Sequence, residues 1–328
     1  MANPVATIDI GTNTTLLLVA RPPSVPGGHV EVLENAAEIT RLGRGIGSTP
    51  APSGTGGPRL GQAGIDATLE ALRRFAERAK HHGAEIFAVG TEALRRAENA
   101  ADFTVAARAI LGRDIEIIAG EREAELTFRA VAASFPEPIS KTRGWVIDIG
   151  GGSTEIIETH LGQAVSRKSL PLGSVRLTER HIRHDPATPE EIAAIRNDVV
   201  RAIEQAGILP DASAAISDPR PCLIGVAGTV TTLAAMALSL NSYDPERVHG
   251  STLTLAELEL HLGRLAGADQ AARESMIGLD PKRADVIFAG GIILHEIAKR
   301  AGVDRILVSD RGIRWGLFFE HTNDNSPT

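Results

Sequence analysis

A short pattern that occurs twice in the chain constrains its fold more than any other feature. Residues 8–15 are Ile-Asp-Ile-Gly-Thr-Asn-Thr-Thr and residues 147–154 are Ile-Asp-Ile-Gly-Gly-Gly-Ser-Thr, with five identities between them. A repeat at so long a spacing indicates duplicated domains, because the units of a solenoid are only about 20 to 50 residues long. The 328-residue chain has enough length for a buried core in each of two domains.

Each copy of the pattern joins two strand-like runs through a glycine turn. Apolar strand-like runs cover residues 5–10 and 15–20 in the first copy, and 145–149 and 154–158 in the second. Apolar residues at helical spacing follow over 62–82, 102–111, 121–133 and 189–206. This alternation predicts an α/β protein. The two prolines of residues 135–141 predict a connector, and the Gly- and Pro-rich stretch 47–58 predicts a mobile surface loop.

Composition excludes several classes of partner and location. The formal charge of −7 and the aromatic content of 3% argue against nucleic-acid binding, which uses a basic face and stacking platforms. No run reaches the roughly 18 apolar residues of a spanning helix, and no export signal is visible, so we expect no membrane insertion. Cys222, the single cysteine, cannot form an internal disulfide, which fits a reducing cytoplasm.

The repeated turn has a chemical use as well as a structural one. Backbone N–H groups of a glycine turn can point into a common concavity and hold phosphate oxygens. The Asp at the end of the preceding strand, Asp9 or Asp148, offers a hard oxygen ligand to hydrated Mg²⁺. A single Asp-x-Gly turn is most often just a hairpin. Two copies in register favour the phosphate-binding interpretation.

One mismatch between the copies carries further information. In the same register, Leu16 of the first copy corresponds to Glu155 of the second. Either this strand turns Glu155 to solvent, or Glu155 is a buried carboxylate beside Asp148. A buried charge is costly unless it is paired, and a metal ion would compensate it. The second alternative predicts an acidic pair at the second turn.

Five more motifs follow the first turn in a fixed order along the chain. They are Glu-Ala-Leu-Arg at 92–95, Ile-Ala-Gly-Glu-Arg-Glu-Ala at 118–124, Leu-Gly-Ser-Val-Arg-Leu-Thr-Glu at 172–179, Gly-Val-Ala-Gly-Thr-Val-Thr-Thr at 225–232 and Ser-Asp-Arg-Gly-Ile-Arg-Trp-Gly at 309–316. With both Asp-Gly turns they resemble the exopolyphosphatase and guanosine pentaphosphate phosphohydrolase family (the Ppx/GppA phosphatase family) over nearly the whole chain.

The resemblance implies a fold and a domain division. It implies an α/β fold of two ribonuclease-H-like domains, of the actin, sugar kinase and heat-shock ATPase type, with an interdomain cleft. The first domain would cover residues 1–120 and be joined by the C-terminal helix at 315–328. The second would cover residues 121–314.

The resemblance also implies roles for individual residues. Glu123 matches the catalytic glutamate that takes a proton from the attacking water. Asp148 and Glu155 match acidic positions tied to Mg²⁺, and Asp9 is a further candidate ligand. The candidate phosphate-binding residues either match phosphate-binding positions of the family or lie in its phosphate-loop motifs. They are Asn13, Arg95, Gly150, Gly151, Gly152, Ser153, Arg176, Gly228 and Thr229. Spacing alone allows Glu123 to be a helix-start carboxylate favoured by the macrodipole. The loop at 225–229 could bind a guanosine moiety or only seat phosphate and helix packing.

The function that follows is Mg²⁺-assisted release of terminal orthophosphate from inorganic polyphosphate. The close alternative is hydrolysis of the 5′ γ-phosphate of guanosine pentaphosphate. A sugar or acetate kinase of the same fold would use the same loops but needs an acceptor pocket that no motif indicates. A non-catalytic polyphosphate or nucleotide sensor is the alternative outside the enzymes. A homodimer is left open.

Overall fold

The computed structural model describes residues 2–24, 28–46, 57–210 and 221–322. Its strands are β1 Val5–Ile10, β2 Thr14–Arg21, β3 Glu31–Ile39, β4 Glu85–Gly90, β5 Glu116–Ile117, β6 Gly144–Ile149, β7 Thr154–His160, β8 Gln163–Leu170, β9 Cys222–Val226, β10 Thr252–Thr254 and β11 Arg305–Val308. Its helices are α1 Gln62–His81, α2 Glu92–Arg96, α3 Ala100–Leu111, α4 Gly120–Ser134, α5 Pro136–Lys141, α6 Ser174–His181, α7 Pro189–Ala206, α8 Ala227–Ala237, α9 Pro245–Val248, α10 Leu255–Gly267, α11 Gln270–Glu274, α12 Ile287–Ala301 and α13 Ile313–His321.

The chain divides into two compact units. Unit 1 contains residues 1–133 and 313–328, and unit 2 contains residues 134–312. Residues 121–133, which the sequence analysis placed in the second domain, fall in unit 1. They belong to α4, whose Leu126 shares an apolar cluster with Val89 at the end of β4 and Leu317 of α13.

Unit 1 is built on a mixed sheet with strand order β3-β2-β1-β4-β5. β1 is antiparallel to β2 and parallel to β4, so the carboxyl ends of β1 and β4 lie at the same edge. On one face, Ile8 and Leu17 pack with Phe75 of α1 and Phe103 of α3. On the other face, Leu18 packs with aromatic residues of α13. The sheet therefore has a helical layer on both faces.

Unit 2 repeats this order and extends it. Its sheet runs β10-β11-β9-β6-β7-β8, in which β8-β7-β6-β9 corresponds strand for strand to β3-β2-β1-β4. Ile147 and Ile156 belong to a core that includes Leu233 of α8 and Ile293 of α12. The predicted duplication is therefore confirmed in the topology of the sheets as well as in the hairpins.

Local sequence explains the sharpest element boundaries. α7 begins at Pro189 because Thr188 caps it, with the Thr188 hydroxyl accepting from Glu191 N and the Glu191 side chain accepting from Thr188 N. The helix ends where Gly207 adopts φ 61°.

Two predicted connections are helical in the structure. Most of the predicted connector 135–141 forms α5, because Pro136 lies in its first turn, where a fixed φ favours the helix. The predicted Gly-Thr loop 225–229 is helical from Ala227, since Ala227 at φ 69° turns the chain directly from β9 into α8.

Of the predicted loop 47–58, residues 47–56 lie outside the described residues. Within the described part of the chain, no helix is long and apolar enough to cross a membrane.

Candidate active site

The two glycine turns have the same hydrogen-bonded geometry. Gly11 N donates to Thr14 O over 3.0 Å, and Gly150 N donates to Ser153 O over 3.0 Å. A Cβ at Gly11 would lie 2.9 Å from Thr14 O, which explains why glycine is required there. The positions paired by sequence are therefore equivalent in structure.

Both turns present backbone donors that the rest of the described chain does not use. Within the described residues, the N–H groups of two residues in each turn have no hydrogen-bond acceptor: Thr12 and Asn13, and Gly151 and Gly152. Adjacent N–H groups of this kind can bind phosphate oxygens. The four donors support the phosphate-binding interpretation of the turns.

Glu123 and Arg95 form an ion pair in unit 1. Arg95 lies at the end of α2, directly after β4, and Glu123 lies in the first turn of α4, directly after β5. Arg95 Nη1 donates to Glu123 Oε1 over 2.6 Å and to Ile118 O over 2.5 Å. Glu123 is only 3% exposed. The fold thus brings the proposed base and one proposed phosphate ligand together.

The contact with Glu123 uses only part of the Arg95 guanidinium. Nη1 makes both of these Arg95 contacts, and the other guanidinium nitrogens have no partner among the described residues. Arg95 can therefore hold Glu123 through one nitrogen and still bind a phosphate group bidentately through the other two.

Asn13 is a buried donor in the first turn. Its backbone carbonyl accepts from Thr40 N and Arg41 N, which fixes the residue in place. Asn13 is 6% exposed, and its Nδ2 has no hydrogen-bond partner among the described residues. Leaving a buried amide donor unpaired costs about 1 to 3 kcal/mol. A phosphate oxygen is an acceptor that would relieve this cost.

Glu92 is a buried carboxylate at this edge to which the sequence analysis gave no role. It begins α2 after β4, is 6% exposed, and accepts from Thr12 Oγ1 at 3.5 Å and from Arg96 Nη1 at 3.2 Å. Its contact with Thr12 ties α2 to the first turn. Its position after a buried parallel strand was the available signal, because such strand ends form sites in α/β sheets.

Asp148 and Glu155 are the acidic pair of unit 2. They lie directly opposite one another in the register of β6 and β7, and are 7% and 2% exposed. Ser169 Oγ on β8 donates to Glu155 Oε1 over 2.7 Å. The solvent-facing alternative for Glu155 is therefore wrong. Like charges directly opposite on a sheet repel, so this pair suits a divalent cation.

Within the described residues, no three His, Cys, Asp or Glu side chains are grouped so as to hold a metal by themselves. Asp9, the equivalent of Asp148 in unit 1, is 8% exposed, and its cross-strand partner is Leu16.

The triple-glycine turn of unit 2 is held from behind by α6. Ser174 N donates to Gly150 O over 3.0 Å, and Arg176 Nε donates to Gly152 O over 2.7 Å. A Cβ at Gly173 would lie 2.2 Å from Gly151 O, so only glycine permits this approach. Arg176, predicted to bind phosphate, is thus also a support of the turn. Ser153 completes the turn and is 6% exposed.

Gly228 and Thr229 lie in the first turn of α8 and are closely packed. A Cβ at Gly228 would meet the Arg283 guanidinium at 2.3 Å, and Thr229 packs on Gly290 of α12. Burial lowers the pKa of Arg283, while Asp280 and Tyr243 raise it. The space beside Gly228 is therefore taken by a cationic side chain.

The predicted residues thus form two groups, one in each unit. Asp9, Asn13, Arg95 and Glu123 gather where β1, β4 and β5 end, and the others where β6, β7 and β9 meet the starts of α6 and α8. Two mixed sheets of equivalent order, each opening on an Asp-Gly hairpin, define an α/β protein of the actin-like ATPase fold class.

Comparison with known proteins narrows that class to one family. The chain belongs to the Ppx/GppA phosphatase family, whose model matches residues 24–324. It is therefore a hydrolytic enzyme, and the family assignment points to a metal-dependent phosphatase.

Individual relatives agree with the family. The chain is 33% identical to exopolyphosphatase 2 of Mycobacterium tuberculosis, over 95% of this chain and 97% of that protein. It is 29% identical to the guanosine-5′-triphosphate,3′-diphosphate pyrophosphatase of Vibrio cholerae, over 97% of this chain and 59% of that protein. The crystal structure of the Aquifex aeolicus member of the Ppx/GppA family matches with a TM-score of 0.78 and 28% identity, covering 99% of both chains.

Proposed function

We propose that the protein releases terminal orthophosphate from inorganic polyphosphate. The observation that carries this proposal is the pair of equivalent turns, in each of which two adjacent N–H groups have no acceptor among the described residues. Such turns bind phosphate oxygens and recognise no other chemical group of a substrate. A polymer made only of phosphate is the substrate that this chemistry fits best, and the relative at 33% identity is named an exopolyphosphatase.

Glu123 is the proposed general base. Its carboxylate accepts the proton of a water as the water oxygen attacks the terminal phosphorus. The bond from that phosphorus to the bridging oxygen breaks, and the shortened chain leaves with the bond's electron pair. The Arg95 contact supports this role, because the ion pair fixes the orientation of the Glu123 carboxylate.

The other proposed residues bind charge. Transfer of a phosphoryl group to water depends mainly on positioning and on stabilising the charge of the equatorial oxygens. Arg95, Asn13 and the turn N–H groups would bind those oxygens, with Arg176 holding the second turn. Mg²⁺ would be held by Asp148 and Glu155, with Asp9 as a further candidate ligand. When bound, it would neutralise phosphate charge.

A second candidate substrate is guanosine pentaphosphate, cleaved at its 5′ γ-phosphate. The Vibrio cholerae relative, whose name refers to a guanosine polyphosphate, favours it. Phosphate release from long-chain polyphosphate, guanosine pentaphosphate and ATP, measured side by side with and without Mg²⁺, separates the candidates. We expect the highest kcat/KM with polyphosphate. A higher value with the nucleotide would reverse the order.

The role of Glu123 is tested by Glu123→Gln. We expect phosphate release to fall by about 10²- to 10⁴-fold, the usual cost of losing a general base, while polyphosphate binding remains. Glu121→Gln is the matched control, since Glu121 is an exposed carboxylate in the same helical turn. Unchanged turnover in Glu123→Gln would remove Glu123 from the mechanism. Tight binding without turnover in the wild type would instead identify a sensor.

A further inference from the structure

The connection after β3 is bound to the first glycine turn. Three backbone hydrogen bonds join them: Thr40 N to Asn13 O at 3.1 Å, Arg41 N to Asn13 O at 3.0 Å and Gly43 N to Thr12 O at 2.8 Å. A Cβ at Gly43 would lie 2.4 Å from Thr12 Cγ2, so the two segments are in close contact. Residues 40–46, the Arg41 turn below, are therefore part of the surroundings of Asn13.

Arg41 occupies a backbone conformation that costs free energy. Its φ is 53°, in the left-handed region, where a residue other than Gly costs roughly 1 to 2 kcal/mol. Asn is better tolerated there than arginine. The hydrogen bonds to Asn13 hold the chain in this shape, which places an arginine directly beside the first glycine turn.

Charge around the Arg41 turn is positive and, at Arg44, uncompensated. Between Thr40 and Gly61 the sequence contains Arg41, Arg44 and Arg59 and no Asp or Glu, although the whole chain carries −7. Arg44 is exposed and has no ion pair among the described residues.

Other arginines around the unit 1 group differ, because carboxylates already neutralise them. Arg96 pairs with Glu92 at 3.2 Å, and Arg122 pairs with Glu125 at 2.9 Å. Unlike Arg96 and Arg122, Arg44 has no carboxylate partner among the described residues and can bind a mobile anion.

We propose that the Arg41 turn is a second phosphate subsite, in which Arg41 and Arg44 bind phosphates of a polyphosphate chain beyond the terminal one. The buried Nδ2 of Asn13, which has no partner among the described residues, marks where the anion would enter beside the turn. The subsite rests on the proposed function and extends it: it makes binding depend on the length of the phosphate chain.

The test compares chain lengths in charge-removing variants. In Arg44→Gln we expect KM for long-chain polyphosphate to rise about 3- to 10-fold, as for loss of one ion pair with a polyanion, with kcat nearly unchanged. The kcat/KM for tripolyphosphate should change by less than about twofold. Raising the salt concentration should narrow the difference between Arg44→Gln and wild type, because salt screens exposed charges.

Two further variants and one control complete the design. Arg41→Asn, which suits the left-handed backbone, should raise the same KM at least as much, and Arg44→Lys should retain most of the wild-type affinity. Lys80→Gln is the matched control, because Lys80 is exposed and makes no ion pair within the described part of unit 1. If Arg44→Gln and Lys80→Gln behave alike with the long polymer, the subsite is wrong.

This outcome is distinct from failure of the proposed function. If wild type releases no phosphate from any polyphosphate, the proposed activity is wrong, and direct binding of long-chain polyphosphate by calorimetry decides the subsite. Weaker binding by Arg44→Gln than by Lys80→Gln would support it. Equal affinities would overturn it.

Discussion

A single side-chain difference separates the two glycine hairpins chemically. Leu16 and Glu155 occupy equivalent positions opposite Asp9 and Asp148, so the same hairpin carries one carboxylate in unit 1 and two in unit 2. Both unit 2 carboxylates are buried, where an added charge is costly unless a cation compensates it. The difference therefore favours unit 2 as the metal-binding half.

Replacing Asp148 by Asn tests this assignment. Removing one ligand charge should raise the Mg²⁺ concentration for half-maximal activity about tenfold or more. The rise in thermal midpoint on adding Mg²⁺ should shrink as well, which reports binding independently of turnover. Glu158→Gln is a suitable control, since Glu158 lies on the same strand as Glu155 and pairs with Arg143 at 2.7 Å. An unaltered metal titration in Asp148→Asn would contradict the assignment.

Much at the scale of residues was predictable, because the turns encode their own geometry. The repeat identified both hairpins, and its mismatch predicted the burial of Glu155. The contact between Arg95 and Glu123 was not predictable, because no local pattern reports which residues meet where β4 and β5 end. Glu92 was part of a recognised motif but had no predicted role. Its burial depends on the Thr12 contact, which joins segments far apart in sequence.

At the scale of elements, α13 supports the helix that carries Glu123. Gly316 packs so closely on α4 that a Cβ there would lie 1.9 Å from Leu126 O. Glu320 of α13 accepts from Arg122 Nη2 at 2.5 Å, and this hydrogen bond, despite partial burial, raises the pKa of Arg122. The C-terminal helix thus fixes α4 by a backbone contact and an ion pair.

Gly316→Ala should therefore destabilise the protein and lower its activity. Forcing a methyl group against a backbone carbonyl costs about 1 to 3 kcal/mol, and moving α4 would displace Glu123. Gly263→Ala on α10 is the control with the opposite sign, because nothing lies within 4 Å of its added Cβ. Alanine there should stabilise by roughly 0.5 to 1 kcal/mol. Denaturant midpoints measure both, and equal effects in the two variants would contradict the packing argument.

Elements with strong local signals were predicted almost to the residue. The helix predicted at residues 189–206 is α7, with the same bounds. The short elements β10, α9 and α11 were missed, since three to five residues carry no readable periodicity. α5 was taken for a connector because its prolines suggest a break, whereas a proline in the first turn favours a helix.

At the scale of the whole molecule, the short repeat predicted an architecture far larger than itself. Two sheets of equivalent order follow from it, and the family resemblance added the expectation that the C-terminal helix joins unit 1. The placement of residues 121–133 did not follow. It depends on α4 packing against α13, whose residues lie almost two hundred positions later in the chain, as between Arg122 and Glu320.

Buried histidines predict how the stability of the whole protein responds to acid. Burial lowers the pKa of His249 to about 4 from 6.5, with Arg311 adding to the shift and Asp310 opposing it. Its Nδ1 accepts from Asp310 N at 3.3 Å, which requires that nitrogen to be unprotonated. Burial also lowers the pKa of His261, which is 7% exposed. Both rings are therefore kept neutral in the folded protein.

A carboxylate acts in a second, lower pH window. The hydrogen bond from His184, followed by that from Thr188 N, lowers the pKa of Glu191 to about 2 from 4.5. Glu191 therefore contributes stability that is present above pH 4.5 and is lost as the pH falls toward 2. As the pH falls, this loss of stability begins near the pH at which the loss caused by the histidines ends.

The thermal midpoint should therefore be nearly constant above pH 7 and fall as the pH drops from 6.5 to 4. In that window His249 and His261 are protonated in the unfolded chain but stay neutral in the folded protein. Acid therefore stabilises the unfolded state relative to the folded state. His249→Asn keeps an acceptor for Asp310 N and should make the fall shallower, whereas His160→Asn, at an exposed ring, should not. Thermal melts followed by circular dichroism measure these midpoints. The protein concentration is kept low, because a chain of charge −7 at pH 7 loses electrostatic repulsion between molecules as it is acidified. A midpoint that stays constant down to pH 4.5, or an equal slope in His249→Asn, would show that these rings do not control acid stability.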